Sequence, residues 1–219
     1  MENKLFDKAW QNNKLNHKVR ARLVLAAIDY LKSIDYKDYT LDDVILTGSM
    51  ANYNYHSKSD WDVHIILKPN NKEVLKPFEE LLNARRLYWN LQHDIFIFGH
   101  PVEVYGETGQ PIPFSAGVYS LIKDEWIQKP ILQQYTVDDN EIKKKYNKWK
   151  KIIDLVIQEQ DIALIEKVQT KIRDYRTKGL KNGGEFSTEN LVFKMLRNND
   201  LLEKLRDEKY KLFDKELSL

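Results

Sequence analysis

Two aspartates one residue apart, Asp60 and Asp62, open an apolar run that reads SDWDVHIIL over residues 59–67. Successive side chains of a strand point to opposite faces, so Asp60, Asp62 and His64 share one face while Trp61, Val63 and Ile65 face a core. Two carboxylates on one face repel strongly unless a cation lies between them. Hard oxygen donors at that spacing select Mg²⁺ or Mn²⁺. Glu103 is the preferred third ligand, because Val102 and Val104 flank it and on a strand it alone points away from them. A strand at 102–105 lying beside 61–67 would bring the three acids together. Asp94 is the alternative third acid, at the edge of another strand.

Upstream, the run DVILT (43–47) ends in Gly48-Ser49. This reads as a strand entering a turn. Gly48 lets the backbone approach a ligand closely, and Ser49 adds a hydroxyl donor. A helix starting there would aim free backbone N–H groups at an anion, which makes Gly48-Ser49 a candidate phosphate cradle. Candidate cations for a polyphosphate are Lys58, just before Asp60, and Arg173 with Arg176, three apart on one helical face. A solvated helix face is an equal reading of the two arginines. His64 reads as a hydrogen-bonded structural residue. Tyr53 and Tyr55 are open candidates for base stacking, and Arg85 and Arg86 read as helix surface.

Hydrophobic period predicts the secondary structure around these residues. A helix is predicted over 14–34, with Leu15, Val19, Leu23, Ala26, Ala27, Tyr30 and Ile34 on one stripe. Strands are predicted at 43–47, 61–67, 94–98, 102–105 and 116–122, with a short helix in 49–54, a helix from Glu73 to Leu91 and loops at 55–59 and 108–115. From Asp138 onward the pattern is helical. Two stripes run through Ile142–Val156 and Ile162–Tyr175, breaks come at Gly179 and Asn182-Gly183-Gly184, and Ser187 caps a helix at Leu191–Leu205. The expected fold is α+β: a small mixed sheet flanked by helices over 1–135, then an all-helical domain over 136–219.

Each of these signals is common alone, but their order is not. The succession LTGS (46–49), SDWDV (59–63) and VEV (102–104) resembles the signature of the DNA polymerase β-like nucleotidyltransferase superfamily. The resemblance spans roughly residues 40–105, under half the chain, with Glu standing where many members carry Asp as third acid. It implies a two-metal transfer of a nucleoside monophosphate from an NTP such as ATP to an acceptor hydroxyl, with release of pyrophosphate. Asp60 and Asp62 would bridge two Mg²⁺ (or Mn²⁺) ions, Glu103 would complete the one nearer the acceptor, and Gly48 and Ser49 would grip the β and γ phosphates. The motif does not choose the acceptor, which could be RNA, a nucleotide, a small molecule or a protein.

Composition sets the outer bounds. Of 219 residues 31% are charged, with a net charge of +2 and no cysteine, which excludes a disulfide framework, a thiolate metal site and a cysteine nucleophile. The five histidines show no zinc spacing. Residues 141–219 carry 19 Lys+Arg against 14 Asp+Glu, while residues 1–140 carry 16 against 19. A basic half beside an acidic one suits a phosphate-rich substrate. The charged N-terminus is unlike a signal peptide and no run is apolar enough to span a bilayer, so a soluble cytoplasmic protein is expected. Two other functions compete: a non-catalytic nucleotide-binding module of the same fold, and a metal-dependent nuclease or phosphatase. The intact acids argue against the first, and the Gly-Ser turn ahead of Asp-x-Asp argues against the second.

Overall fold

A computed structural model of the chain describes residues 3–109, 117–132 and 138–218. It is a mixed α+β structure dividing into two compact units, Met1–Gln133 and Gln134–Leu219. The N-terminal unit opens with a hairpin of β1 (Trp10–Gln11) and β2 (Lys14–Leu15), turned by Asn12 and Asn13 at φ 50° and 61°. Asparagine tolerates that left-handed geometry, which suits a two-residue hairpin turn. The helix predicted from residue 14 therefore starts later, as α1 (His17–Lys32), with the Asn16 side chain accepting from the Lys18 N–H. Leu15 lies in helical register with α1, but its backbone pairs with Trp10.

The remaining strands are β3 (Tyr39–Thr47), β4 (Trp61–Pro69), β5 (Phe96–Ile97), β6 (His100–Glu107), β7 (Val118–Ser120) and β8 (Glu125–Gln128). They form one six-stranded mixed sheet in the order β5-β6-β4-β3-β7-β8. Only β4 and β6 run parallel. A parallel pair needs a long crossover, and α2 (Leu75–Gln92) lies on that connection. The strand predicted at 94–98 shrinks to two residues, because Phe98 and Gly99, at φ 53° and 82°, form the turn that pairs Ile97 with His100. The strand β8 escaped prediction. Of the predicted loop at 108–115, residues 110–115 lie outside the described residues.

Alternation sorts the sheet into two faces. Val44 and Leu46 of β3, Trp61, Val63, Ile65 and Leu67 of β4, and Val102 and Val104 of β6 join Leu23, Ala27 and Tyr30 of α1 and Phe78, Leu82 and Trp89 of α2 in the main core. The opposite face carries Asp62, His64 and Ile66 of β4, and there Ile66 forms a small buried cluster with Ile45 and Val118.

The C-terminal unit is helical among its described residues: α3 (Asp139–Glu159), α4 (Ile162–Gly183), α5 (Thr188–Asn198) and α6 (Leu201–Leu217). Asp138, Asp161 and Ser187 cap the first three through their side chains. The predicted stripes meet in a core that includes Ile142, Ile153, Ile165, Val168, Ile172, Val192, Leu196 and Leu205. The helix predicted at Leu191–Leu205 is two helices, broken at Asn199-Asp200, where Asp200 takes φ 58°. Gly179 does not break the chain. It lies inside α4, and a Cβ there would sit 2.4 Å from the Cβ of Glu189 at the start of α5. Gly179→Ala is expected to destabilise the protein by roughly 1–3 kcal/mol through that overlap, despite alanine's better helix propensity. Urea unfolding measures it, and a stabilised variant would show that the helices part at little cost. No helix among the described residues is long and apolar enough to cross a membrane.

Candidate metal centre

The centre is built where β3 ends and β4 begins. Thr47 pairs with Asp62 across the two strands. The chain then turns through Gly48, at φ 73° and ψ −160°, a combination open essentially only to glycine. A Cβ on Gly48 would lie 1.9 Å from Asp62 Oδ2, so the turn packs directly against that carboxylate. After Gly48 the chain makes a single 3₁₀ turn, Ser49–Ala51, rather than the helix predicted over 49–54. So short a turn brings no helix dipole to the cradle.

Hydrogen bonds clasp the loop from Ser49 to Ser59. Ser49 Oγ donates to Ser59 Oγ at 2.8 Å, the His56 N–H donates to the same oxygen at 3.0 Å, and His100 Nδ1 lies 2.8 Å from the Ser59 carbonyl. Trp10 Nε1 donates to the Met50 carbonyl at 2.8 Å, and Trp61 Nε1 to the Ile97 carbonyl at 3.1 Å. Both ends of the loop are thus held, and Asp60 is delivered at the mouth of β4.

The parallel pairing of β4 with β6 sets Asp62 directly beside Glu103. One carboxylate oxygen each from Asp60, Asp62 and Glu103 lies within 4.8 Å of the others, and all three residues are half-buried. Three anionic oxygens so close are mutually repulsive, and a divalent cation among them removes the repulsion. An all-carboxylate donor set open to water fits Mg²⁺ or Mn²⁺. Asp94 is exposed and outside the cluster.

Tyr105 is the residue that the sequence reading missed. Two positions after Glu103, it shares that residue's face, and its hydroxyl donates to Glu103 Oε2. Its ring stacks on His64 with centroids 4.6 Å apart and planes 9° apart, and the Arg86 guanidinium carbon lies 5.4 Å from the ring centre. Burial, and after it the Asp62 charge and the hydrogen bond to Glu103, push the phenol far above its ordinary range, so it remains a donor. His64 is tied in place, with Nδ1 3.0 Å from Glu107 Oε1. Tyr105→Phe removes only the hydroxyl that holds Glu103. The variant is expected to bind Mn²⁺ about tenfold more weakly, as read by loss of the free Mn²⁺ resonance signal on titration; unchanged affinity would mean Glu103 is positioned without it.

The other expected contacts divide. Lys58 is exposed in the loop, with its backbone N–H donating to His56 Nδ1 at 3.1 Å. Arg173, on α4, is exposed and donates to Thr170 Oγ1 at 3.3 Å. Arg176 lies 4.4 Å from the Phe193 ring centre and donates to Asn190 Oδ1 at 3.3 Å, and burial lowers its pKa. Packing of the C-terminal unit accounts for those contacts of Arg176. Tyr53 and Tyr55 pack against the core, Tyr55 edge-on to Phe6 at 5.4 Å. Arg85 is paired with Asp35. Trp61 is fully buried.

The chain matches no protein-family model, no curated protein and no solved structure.

Proposed function

We propose that the N-terminal unit is a metal-dependent nucleotidyltransferase, moving a nucleoside monophosphate from an NTP to an acceptor hydroxyl. The observation that carries the reading is the convergence of Asp60, Asp62 and Glu103 within 4.8 Å on neighbouring parallel strands. A glycine turn pressed against Asp62 supports it further. That order, strand, Gly-Ser turn, Asp-x-Asp strand and flanked acid, is the one that resembles the DNA polymerase β-like superfamily and distinguishes the reading from a nuclease or phosphatase.

Asp60, Asp62 and Glu103 would hold the divalent ions. When bound, such ions offset the charge of the triphosphate and lower the pKa of the acceptor hydroxyl. The protein's own part is positioning. The clasped 49–59 loop holds the turn, Gly48 leaves backbone open beside Asp62, and Tyr105 keeps Glu103 turned toward the two aspartates. In the net reaction the acceptor hydroxyl releases its proton to solvent, its oxygen bonds to the α-phosphorus, the bond from that phosphorus to the β-phosphate oxygen breaks, and pyrophosphate leaves. In-line placement and charge stabilisation supply the rate.

The test is incubation with each α-labelled NTP, Mg²⁺ or Mn²⁺ and mixed cellular RNA, following label transfer and pyrophosphate. Label on RNA, absent with D60A/D62A, supports the enzyme and names its acceptor. Pyrophosphate without labelled RNA supports a small-molecule, nucleotide or protein acceptor. Phosphate in place of pyrophosphate, or no binding of Mg²⁺ with NTP, rejects the reading. Binding without turnover favours a nucleotide-binding module.

A further inference from the structure

The outward face of α3 is dense in exposed lysine. Its inward side, Ile142, Tyr146, Trp149, Ile153 and Val156, meets the helical core. Lys143, Lys144, Lys148, Lys150 and Lys151 are all exposed, and none takes part in an ion pair among the described residues. Lys145, by contrast, is held by Glu141 at 2.7 Å and Glu189 at 3.4 Å. On α6, Lys204, Arg206, Lys209 and Lys211 each meet a carboxylate within 4.0 Å, while Lys215, like Lys167, Lys171, Lys178 and Lys181 of α4, takes part in no ion pair among the described residues; what sets α3 apart is that its unpaired lysines cluster on one helix face within residues 143–151. Lys144 and Lys148 stand four apart, and Lys148 and Lys151 three apart, so like charges neighbour one another along one line of the helix, between Glu141 and Asp154 at its two ends. A line of unpaired like charges suits an anionic partner.

The same line borders an open groove of about 450 Å³, lined among the described residues by Lys144, Asn147, Lys148, Lys151, Ile152 and Leu155. No acid lines it. The lysines step along the helix axis by about 6 Å and about 5 Å, a succession able to meet consecutive phosphates of one strand. Asn147 lies between them with an amide that both donates and accepts, the complement of a ribose 2′-hydroxyl.

We infer that this lysine-lined face of α3 docks a single strand of RNA through consecutive phosphates. The further statement that this strand is the acceptor rests on the nucleotidyltransferase reading; the docking itself does not.

The experiment titrates the full-length protein into a fluorescently labelled single-stranded RNA, into DNA of the same sequence, and against vesicles of anionic phospholipid, at several KCl concentrations. RNA affinity is expected to fall with salt. In K144Q/K148Q/K151Q the log–log slope should become shallower by about 2, three phosphate contacts at about 0.7 each. Its affinity should drop at least tenfold, while K211Q/K215Q on α6, the charge control, changes it little. Asn147→Ala should narrow the preference for RNA over DNA. An unchanged slope in the triple variant, equal loss in the control, equal binding of DNA by the unmodified protein, or preference for vesicles would each overturn the inference. D60A/D62A separates the two proposals. It should still bind RNA, so RNA bound at α3 with no nucleotide transfer by the unmodified protein rejects only the transferase. Transfer to a small acceptor with no RNA binding rejects only the docking.

Discussion

Asp62→Asn should leave a folded protein that no longer turns over NTP. The change keeps the shape of the side chain and removes its charge. Asp62 is the middle of the three clustered acids, beside Glu103 in the parallel register and against Gly48 in the turn. Losing it removes about 4 kcal/mol of transition-state stabilisation, roughly a thousandfold in rate. Stability should hold or rise, since one of three crowded carboxylates has been neutralised. The decisive comparison sets label transfer at saturating Mn²⁺ beside a thermal melt in metal-free buffer. Lost activity with an undiminished melting temperature assigns Asp62 to the metal. Activity within about threefold of the unmodified protein would remove Asp62 from the chemistry, whatever the fold.

Gly48→Ala is the second large effect, and its cause is different because no charge or donor is lost. The alanine Cβ would lie 1.9 Å from Asp62 Oδ2, and the backbone at φ 73°, ψ −160° is closed to side chains other than glycine's hydrogen. Strain of about 1–3 kcal/mol is expected from the backbone alone. The clash must then displace either the turn or the Asp62 carboxylate, and a misplacement of about 1 Å can cost a hundredfold in rate. Activity should therefore fall about a hundredfold, with Mn²⁺ bound more weakly and a lower melting temperature. Gly99→Ala is the matching control. Gly99 also has positive φ, but a Cβ there meets nothing within 4 Å, so the variant should lose some stability and keep its metal affinity. Equal loss of metal affinity in both would point to general loosening rather than to the Gly48–Asp62 contact.

Much of the centre was legible along the chain. Alternation in WDVHIIL assigns Trp61, Val63 and Ile65 to the core and Asp62 to the opposite face, and all three apolar residues are fully buried. Flanking valines single out Glu103 in the same way, and Val102 and Val104 are buried. Helical period found the stripes of α3 and α4 because burial repeats with the turn of the helix. Local turns were less legible. The Asn12-Asn13 turn has a sequence signal, a pair of residues tolerant of left-handed backbone, but Leu15 in helical register hid it. Asn199-Asp200 was hidden likewise, since Leu201 and Leu205 keep the spacing on across the break between α5 and α6.

Period reports which side of an element is buried, and no more than that. Residue order was enough to assign the acids, their faces and the succession of turn and strand. It was not enough to set Asp62 beside Glu103. Strand register depends on the crossover through α2 and on packing across the sheet, and a slip of one residue would turn Glu103 to the core face. Only the folded chain stacks the Tyr105 ring on His64 and presses Gly48 against Asp62. These contacts depend on how strands and turn pack in three dimensions, and no local pattern of residues encodes a distance of that kind.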